Sequence, residues 1–202
     1  LGFKFYNDLL DGESSLLEEL SDVTEKTEVD LVPNTSYRRK VYAYNEKGSS
    51  NLPSQLATDN SVYTLAAKPN LSSIQKNSAS SAIINLDANS NPDYTKCAIY
   101  ESTTSQWVQA DGTLGDEKVS LSFSDWGSSV EVQGLEVLVG MSGFTMSAEG
   151  ESTTYSFMAV AENEDGAETD FSTPVDVEIT GEVVEGAVLS INKTVSLYNP
   201  EY

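Results

Sequence analysis

Apolar and polar residues alternate with a period of two through most of this chain, and the alternation is clearest in two stretches. One is Tyr37-Arg-Arg-Lys-Val41-Tyr-Ala43-Tyr-Asn45, the other Tyr155-Ser-Phe-Met-Ala159-Val-Ala161-Glu-Asn163, and each runs into a turn closed by glycine, Gly48 or Gly166. A two-residue period places alternate side chains on opposite faces of an extended strand, so these stretches read as half-buried β-strands. The same pattern, bounded by Gly, Pro, Asn and Asp, predicts strands near 2–7, 27–31, 37–45, 61–64, 71–75, 81–86, 94–101, 118–123, 129–133, 155–163 and 174–179. Leu9, Leu10, Leu16, Leu17 and Leu20 have some helical spacing, but Asp11-Gly12 interrupts it. A loop with a short helix or an edge strand is expected there, and no long helix elsewhere.

The two alternating stretches belong to a longer repeated phrase. Both have a Thr two residues before the Tyr (Thr35 and Thr153), an Ala and an Asn further along, then the glycine turn. Leu31-Val-Pro33-Asn-Thr35-Ser-Tyr37 and the exit Val62-Tyr-Thr64-Leu-Ala-Ala-Lys-Pro69 frame the first copy. Asn91-Pro92-Asp-Tyr-Thr95-Lys-Cys-Ala98-Ile-Tyr100, Trp107, Asp111-Gly112, Asp125-Trp126-Gly127, Gly134-Leu135 and Glu168-Thr-Asp-Phe-Ser172 frame the second. This set resembles tandem fibronectin type III domains of the kind found in prokaryotic surface and secreted proteins. The resemblance implies an all-β fold of two immunoglobulin-like β-sandwiches in tandem. Residues 1–66 would form an incomplete domain, because the two strands expected ahead of Gly2-Phe-Lys-Phe-Tyr6 do not precede it. Residues 67–180 would form a domain with an insertion near 136–151, since Leu135 and Tyr155 stand twenty residues apart where Leu31 and Tyr37 stand six. Residues 181–202 carry two β-branched runs, too short for a domain, and read as a two-strand tail: either the start of a next module or donor strands for a neighbour.

This organisation suggests where contacts form. Gly2, Phe3 and Phe5 on the open domain, with Val188, Ile191, Val195 and Leu197 of the tail, are the expected interface, and a head-to-tail contact of that kind does not close on itself. The apolar residues Val137, Val139, Phe144 and Met146 of the insertion are candidate ligand contacts. Arg39 falls at a position where the resemblance implies an apolar residue, which suggests a carboxylate facing it across an interface.

Composition narrows the chemistry. The 202 residues carry 32 acidic against 11 basic side chains, a net charge of −21, so nucleic acid and anionic membrane surfaces are disfavoured as partners. There is no His, which removes His-based acid–base catalysis and the commonest zinc ligand, and the single Cys97 forms neither an intrachain disulfide nor a structural zinc site. No Gly-rich phosphate loop and no apolar run long enough to span a bilayer occurs, and no enzyme active site is expected. Asn163, Asp165, Glu168 and Asp170 are weak structural calcium candidates against a plain Asn/Asp-Gly hairpin, and no other cofactor is expected. Trp107 and Trp126 suit sugar stacking or, more simply, a core role. Asn34, Asn70 and Asn192 each begin a glycosylation triplet. The expected role is a non-enzymatic extracellular or cell-surface structural or adhesive module of a prokaryotic surface or filament protein, a piece of a longer repeat array or a strand-exchanging subunit. Its partners would be neighbouring repeats, other copies of itself or a glycan. The alternative is a carbohydrate-binding or spacer domain attached to a secreted hydrolase.

Overall fold

The computed structural model describes residues 2–8, 14–21, 25–45, 48–53, 61–138 and 152–181. Its first half holds β1 (Gly2–Asp8), β2 (Ser14–Ser21), β3 (Ser36–Tyr37), β4 (Arg39–Asn45), β5 (Gly48–Pro53) and β6 (Val62–Tyr63). Its second half holds β7 (Asn70–Ser78), β8 (Ser81–Asp87), β9 (Lys96–Glu101), β10 (Gln106–Val108), β11 (Leu114–Gly115), β12 (Leu121–Ser122), a single helical turn α1 (Phe123–Trp126), β13 (Ser129–Gln133), β14 (Ser152–Glu162) and β15 (Val175–Thr180). All pairings are antiparallel.

In the second half two sheets face each other. One has the order β13-β8-β7, the other β11-β10-β9-β14-β15 with β12 on β9. Inward positions of both sheets meet in one core: Ile84, Ile99, Val132, Leu135, Phe157, Ala159 and Ile179 are completely buried. Each large apolar side chain sealed this way contributes about 1.5–3 kcal/mol. Gly112 ties the sheets together at one edge. It adopts a φ of +84°, its carbonyl accepts from Gln133 N at 2.9 Å, and a Cβ there would sit 2.2 Å from the Glu131 carbonyl oxygen. Trp126 is buried and donates its indole N–H to the Cys97 carbonyl at 2.7 Å. Cys97 is a buried thiol, pushed up to about 12 by burial, with Lys118 pulling the other way.

The first half repeats one of these sheets. Its order, β2-β1-β4-β5, matches β10-β9-β14-β15 strand for strand. Register places Phe3 beside Ala43 and Leu20, Phe5 beside Val41 and Glu18, and Asn7 beside Arg39, so these residues share one face. Among the described residues no second sheet lies against it, and no described apolar side chain of β1, β2 or β4 is fully buried.

Two expectations change here, and a third narrows to one of its alternatives. The strand expected at 27–31 does not form: residues 25–29 join no ladder and Val29 is 73% exposed. A strand needs a neighbour to bond to, and the strand that plays this part for β13, namely β8, has no counterpart in the described first half. The strand expected at 118–123 shrinks to Leu121–Ser122, because Ser122 Oγ caps the Asp125 N–H at 3.1 Å and starts α1. Ser14–Ser21 takes the edge-strand alternative, with a bulge between Phe5 and Tyr6 in its pairing. The tail residues Val188, Ile191, Val195 and Leu197, and Val139, Phe144 and Met146 of the insertion, lie outside the described residues.

Candidate functional site: the junction between the two halves

Among the described residues, a well-formed polar constellation joins the first half to the sandwich. Asn34 sits in the turn Pro33-Asn34 with a φ of +42° and is fully buried. Asn tolerates that left-handed backbone better than most residues. Every polar group of Asn34 has a partner. Its N–H donates to the Leu65 carbonyl at 3.2 Å, its carbonyl accepts from Tyr94 Oη at 2.6 Å, its Nδ2 donates to Thr95 Oγ1 at 2.9 Å, and its Oδ1 accepts from Glu164 N at 2.9 Å. The last three of these bonds cross to the sandwich.

The turn after β14 completes the joint. Asn163 Nδ2 donates to the Thr64 carbonyl at 3.1 Å, and Asp165 Oδ2 accepts from Tyr63 N at 2.9 Å. Thr64 is braced in turn, its hydroxyl donating to the Val32 carbonyl at 2.6 Å and accepting from Thr35 N at 3.0 Å. The connecting segment Ala66–Pro69 is gripped as well. Asn91 accepts from Ala67 N at 2.7 Å and donates to the Ala67 carbonyl at 2.6 Å, while Asn89 Nδ2 donates to the Lys68 carbonyl at 2.9 Å. Each such bond contributes about 0.5–1.5 kcal/mol, and a buried donor or acceptor stripped of its partner costs about 1–3 kcal/mol.

This geometry reassigns several side chains. Asn34 was a candidate glycosylation acceptor, but its amide is sealed inside the joint; Asn70 is exposed, and Asn192 lies outside the described residues. The calcium candidates do not converge. Asn163 uses Oδ1 to accept from Ala167 N at 2.7 Å, Asp165 faces Tyr63, Glu168 pairs with Lys118, and Asp170 is exposed. Among the described residues no group of three or more Cys, Asp or Glu side chains is arranged to hold a metal ion. Arg39 meets its carboxylate within its own chain and not across an interface. Glu28 accepts from Arg39 Nε at 2.9 Å and from Nη2 at 3.0 Å, and Asn7 Oδ1 takes Nη1 at 2.7 Å. Sequence reasoning read Asn34 only as part of a triplet. The available signal was its place in the repeated phrase, where the second copy has Ser152.

Two further groups stand away from the joint. Glu101 is completely buried and accepts from Thr103 N and Thr104 N at 2.7 Å each, from Thr104 Oγ1 at 2.6 Å and from Ser156 N at 3.1 Å. Burial raises its pKa, but the bonds from Thr104 and Thr103 outweigh this and leave it below the ordinary glutamate value. On the outer face of the larger sheet, Trp107, Tyr100 and Met158 share one rung across three strands. Tyr100 lies 4.8 Å from Trp107 and 5.6 Å from Phe171 between ring centroids, and Lys118 stands over Trp107 at 5.3 Å. Trp107 is thus half-buried on the outside of the sheet, and only Trp126 belongs to the core. In the insertion, Val137 packs partly against the core, and Leu138 borders an open cleft of about 280 Å³ with Gln106, Thr113, Gln133 and Tyr155.

The strand order β13-β8-β7 against β11-β10-β9-β14-β15 is that of a fibronectin type III-like β-sandwich. A tyrosine at the corner before the last hairpin marks the same fold: the buried Tyr155 donates its Oη to the Glu136 carbonyl at 2.8 Å, and in the first half the partly exposed Tyr37 accepts at Oη from Val32 N at 2.9 Å. No protein-family model matches the chain, and no curated protein matches it. Solved structures similar to it include the FN1–FN3 domains of chicken CNTN1, at 15% identity and a TM-score of 0.37 over 89% of this chain. The chain spans about half, 54%, of that three-domain chain. A two-domain fibronectin type III segment of chicken tenascin matches at 10% identity and a TM-score of 0.44, covering 90% of this chain and 85% of that one. Domains d3–d4 of the rat CD45 extracellular region match at 17% and 0.39, covering 82% and 75%. These overlays are loose, and the fold rests on the strand order and register described above.

Proposed function

We propose that this chain is a non-enzymatic structural module of an extracellular or cell-surface protein. In this reading residues 1–66 and 67–180 are two fibronectin type III-like units, and the joint at Asn34 sets their angle. The observation that carries it is the burial of Asn34 with three of its polar groups bonded to the other half. A flexible linker would leave such groups to water, whereas a spacer that must hold a direction benefits from satisfying them inside. The net charge of −21 fits a solvated, self-repelling surface outside the cell. A prokaryotic surface or filament protein is the setting that the repeated phrase suggests.

NMR relaxation of the whole chain tests this. The two halves are expected to share one rotational correlation time, and Asn34→Ala to separate them while each keeps its own amide dispersion. Independent tumbling in the unaltered chain would overturn the reading.

A second reading has its own observation. The outward rung Trp107-Tyr100-Met158, with Phe171 beside it at 40% exposure, offers aromatic surface of the type that stacks on neutral sugar rings. Neutral polysaccharide should then quench tryptophan emission, and Trp107→Ala should remove the effect.

A further inference from the structure

The acceptor triplet Asn70-Leu71-Ser72 stands on the sandwich with its two polar members outside the joint and the core. We propose that Asn70 is a site of N-linked glycosylation and carries an oligosaccharide over the outer face of the sheet β13-β8-β7. This rests on the extracellular reading above, since such transfer belongs to exported chains.

Asn70 opens β7 and pairs with Asp87, and the next residue, Leu71, pairs with Leu86. Leu71 is buried in the core, so Asn70 points the opposite way. The register shifts between Leu71 and Ser73, which leaves Ser72 as an extra residue outside the ladder. Asn70 and Ser72 are both exposed. The strand therefore holds the triplet extended, with the carboxamide and the hydroxyl in solvent and the leucine anchored between them. N-linked transfer asks for this combination, an Asn amide and a Ser or Thr hydroxyl two residues later with no Pro between. Asn34-Thr35-Ser36 has the same pattern and fails on geometry. Its Nδ2 is buried and donates to Thr95 Oγ1 at 2.9 Å, so a sugar there would break the joint.

The surroundings of Asn70 suit a saccharide. Register sets Asp87 beside Asn70, Asn85 beside Ser129, and Ile83 between Gln75 and Glu131, so these residues share the outer face of the sheet. Apart from Ile83 they carry amide, hydroxyl or carboxylate groups. A glycan lying there meets hydrogen-bonding groups directly or through water. The outer face of the other sheet contrasts with it, bearing Trp107, Tyr100 and Phe171.

The transfer needs a lipid-pyrophosphate-linked oligosaccharide as co-reactant. Asn70 Nδ2 attacks the anomeric carbon of its first sugar. The N–C bond forms as the C–O bond to the pyrophosphate breaks, the lipid pyrophosphate leaves with the electron pair, and the nitrogen releases one proton to the transferase. Nothing is oxidised or reduced.

The test incubates the full chain, folded and free of glycan, with a single-subunit oligosaccharyltransferase that accepts Asn-X-Ser/Thr and with its lipid-linked donor. Peptides spanning 30–40 and 66–76 serve as unfolded counterparts, and modified positions are located by mass spectrometry. We expect both peptides to react, and the folded chain to gain one oligosaccharide at Asn70 and none at Asn34. Ser72→Thr should keep the modification at Asn70, and Ser72→Ala and Asn70→Gln should abolish it there. Tryptophan emission checks that each variant is folded, because Trp107 and Trp126 lie in the same sandwich as Asn70. A folded chain left unmodified at Asn70, or modified at Asn34 as readily as at Asn70, overturns the proposal. The purified reaction does not depend on where the protein resides, so its failure removes this acceptor site alone, whereas independent tumbling of the halves removes the preceding reading.

Discussion

The two four-stranded ladders, β2-β1-β4-β5 and β10-β9-β14-β15, have the same order and direction but bury very different amounts. Where the sandwich pairs Ala159 with Ile99, the first sheet pairs Val41 with Phe5; the former pair is sealed, the latter half-exposed. Where the sandwich pairs Phe157 with Glu101, the first sheet pairs Arg39 with Asn7. The strand order therefore follows from alternation and turns within each segment, while burial depends on a second sheet. A position that receives a core Phe in one ladder accommodates a hydrated ion pair, Arg39–Glu28, in the other.

This contrast can be broken at matching positions. The largest effect is expected from Phe157→Ala, which empties a completely buried site and should cost about 3–5 kcal/mol by urea unfolding followed by tryptophan emission. Phe5→Ala should cost far less, since its side chain is only half-buried. An equal loss would show that the first sheet is already covered.

Next comes Glu101→Gln. Replacing the carboxylate turns an amide toward donors that need an acceptor, with a loss of about 1–3 kcal/mol at neutral pH. The folded pKa of Glu101 lies below its ordinary value, so the stability it supplies is fully present above that value and is lost as pH falls through the folded one. Unfolding free energies measured down an acid series should decline for the unaltered protein in that window, and the Gln variant should lack this increment of decline.

The smallest effect is expected at Arg39→Ala. Its pair with Glu28 keeps about a fifth of each side chain in water, with relative accessibilities of 18% and 25%, so screening limits the loss to about 1 kcal/mol. The loss should shrink further in high salt.

Most of the sandwich was legible because its signals are local. Alternation places β8, β9, β13, β14 and β15 close to where they form, and the repeated Tyr phrase marks both corners. What escaped depends on partners distant in sequence. Val29 alternates like a strand residue, yet it finds no ladder. Trp107 looks like a core aromatic, yet its register with Tyr100 turns it outward. Short strands such as β10 and β11 carry too few residues to show a period. The joint was hardest to read, because Asn34 earns its role from Tyr94, Thr95 and Glu164, between 60 and 130 positions away. Nothing within a few residues of Asn34 announces that it will be buried.

The grip on the connecting segment has a mechanical meaning. Tension along the chain enters the sandwich through residues 64–69, where Asn91, Asn89 and Asn163 hold Ala67, Lys68 and Thr64 by side-chain bonds. Lengthening this segment requires these bonds to be broken. In the reading proposed above, twist applied to one half arrives at the other as torque instead of being absorbed between them, as in a short drive shaft with no slack coupling.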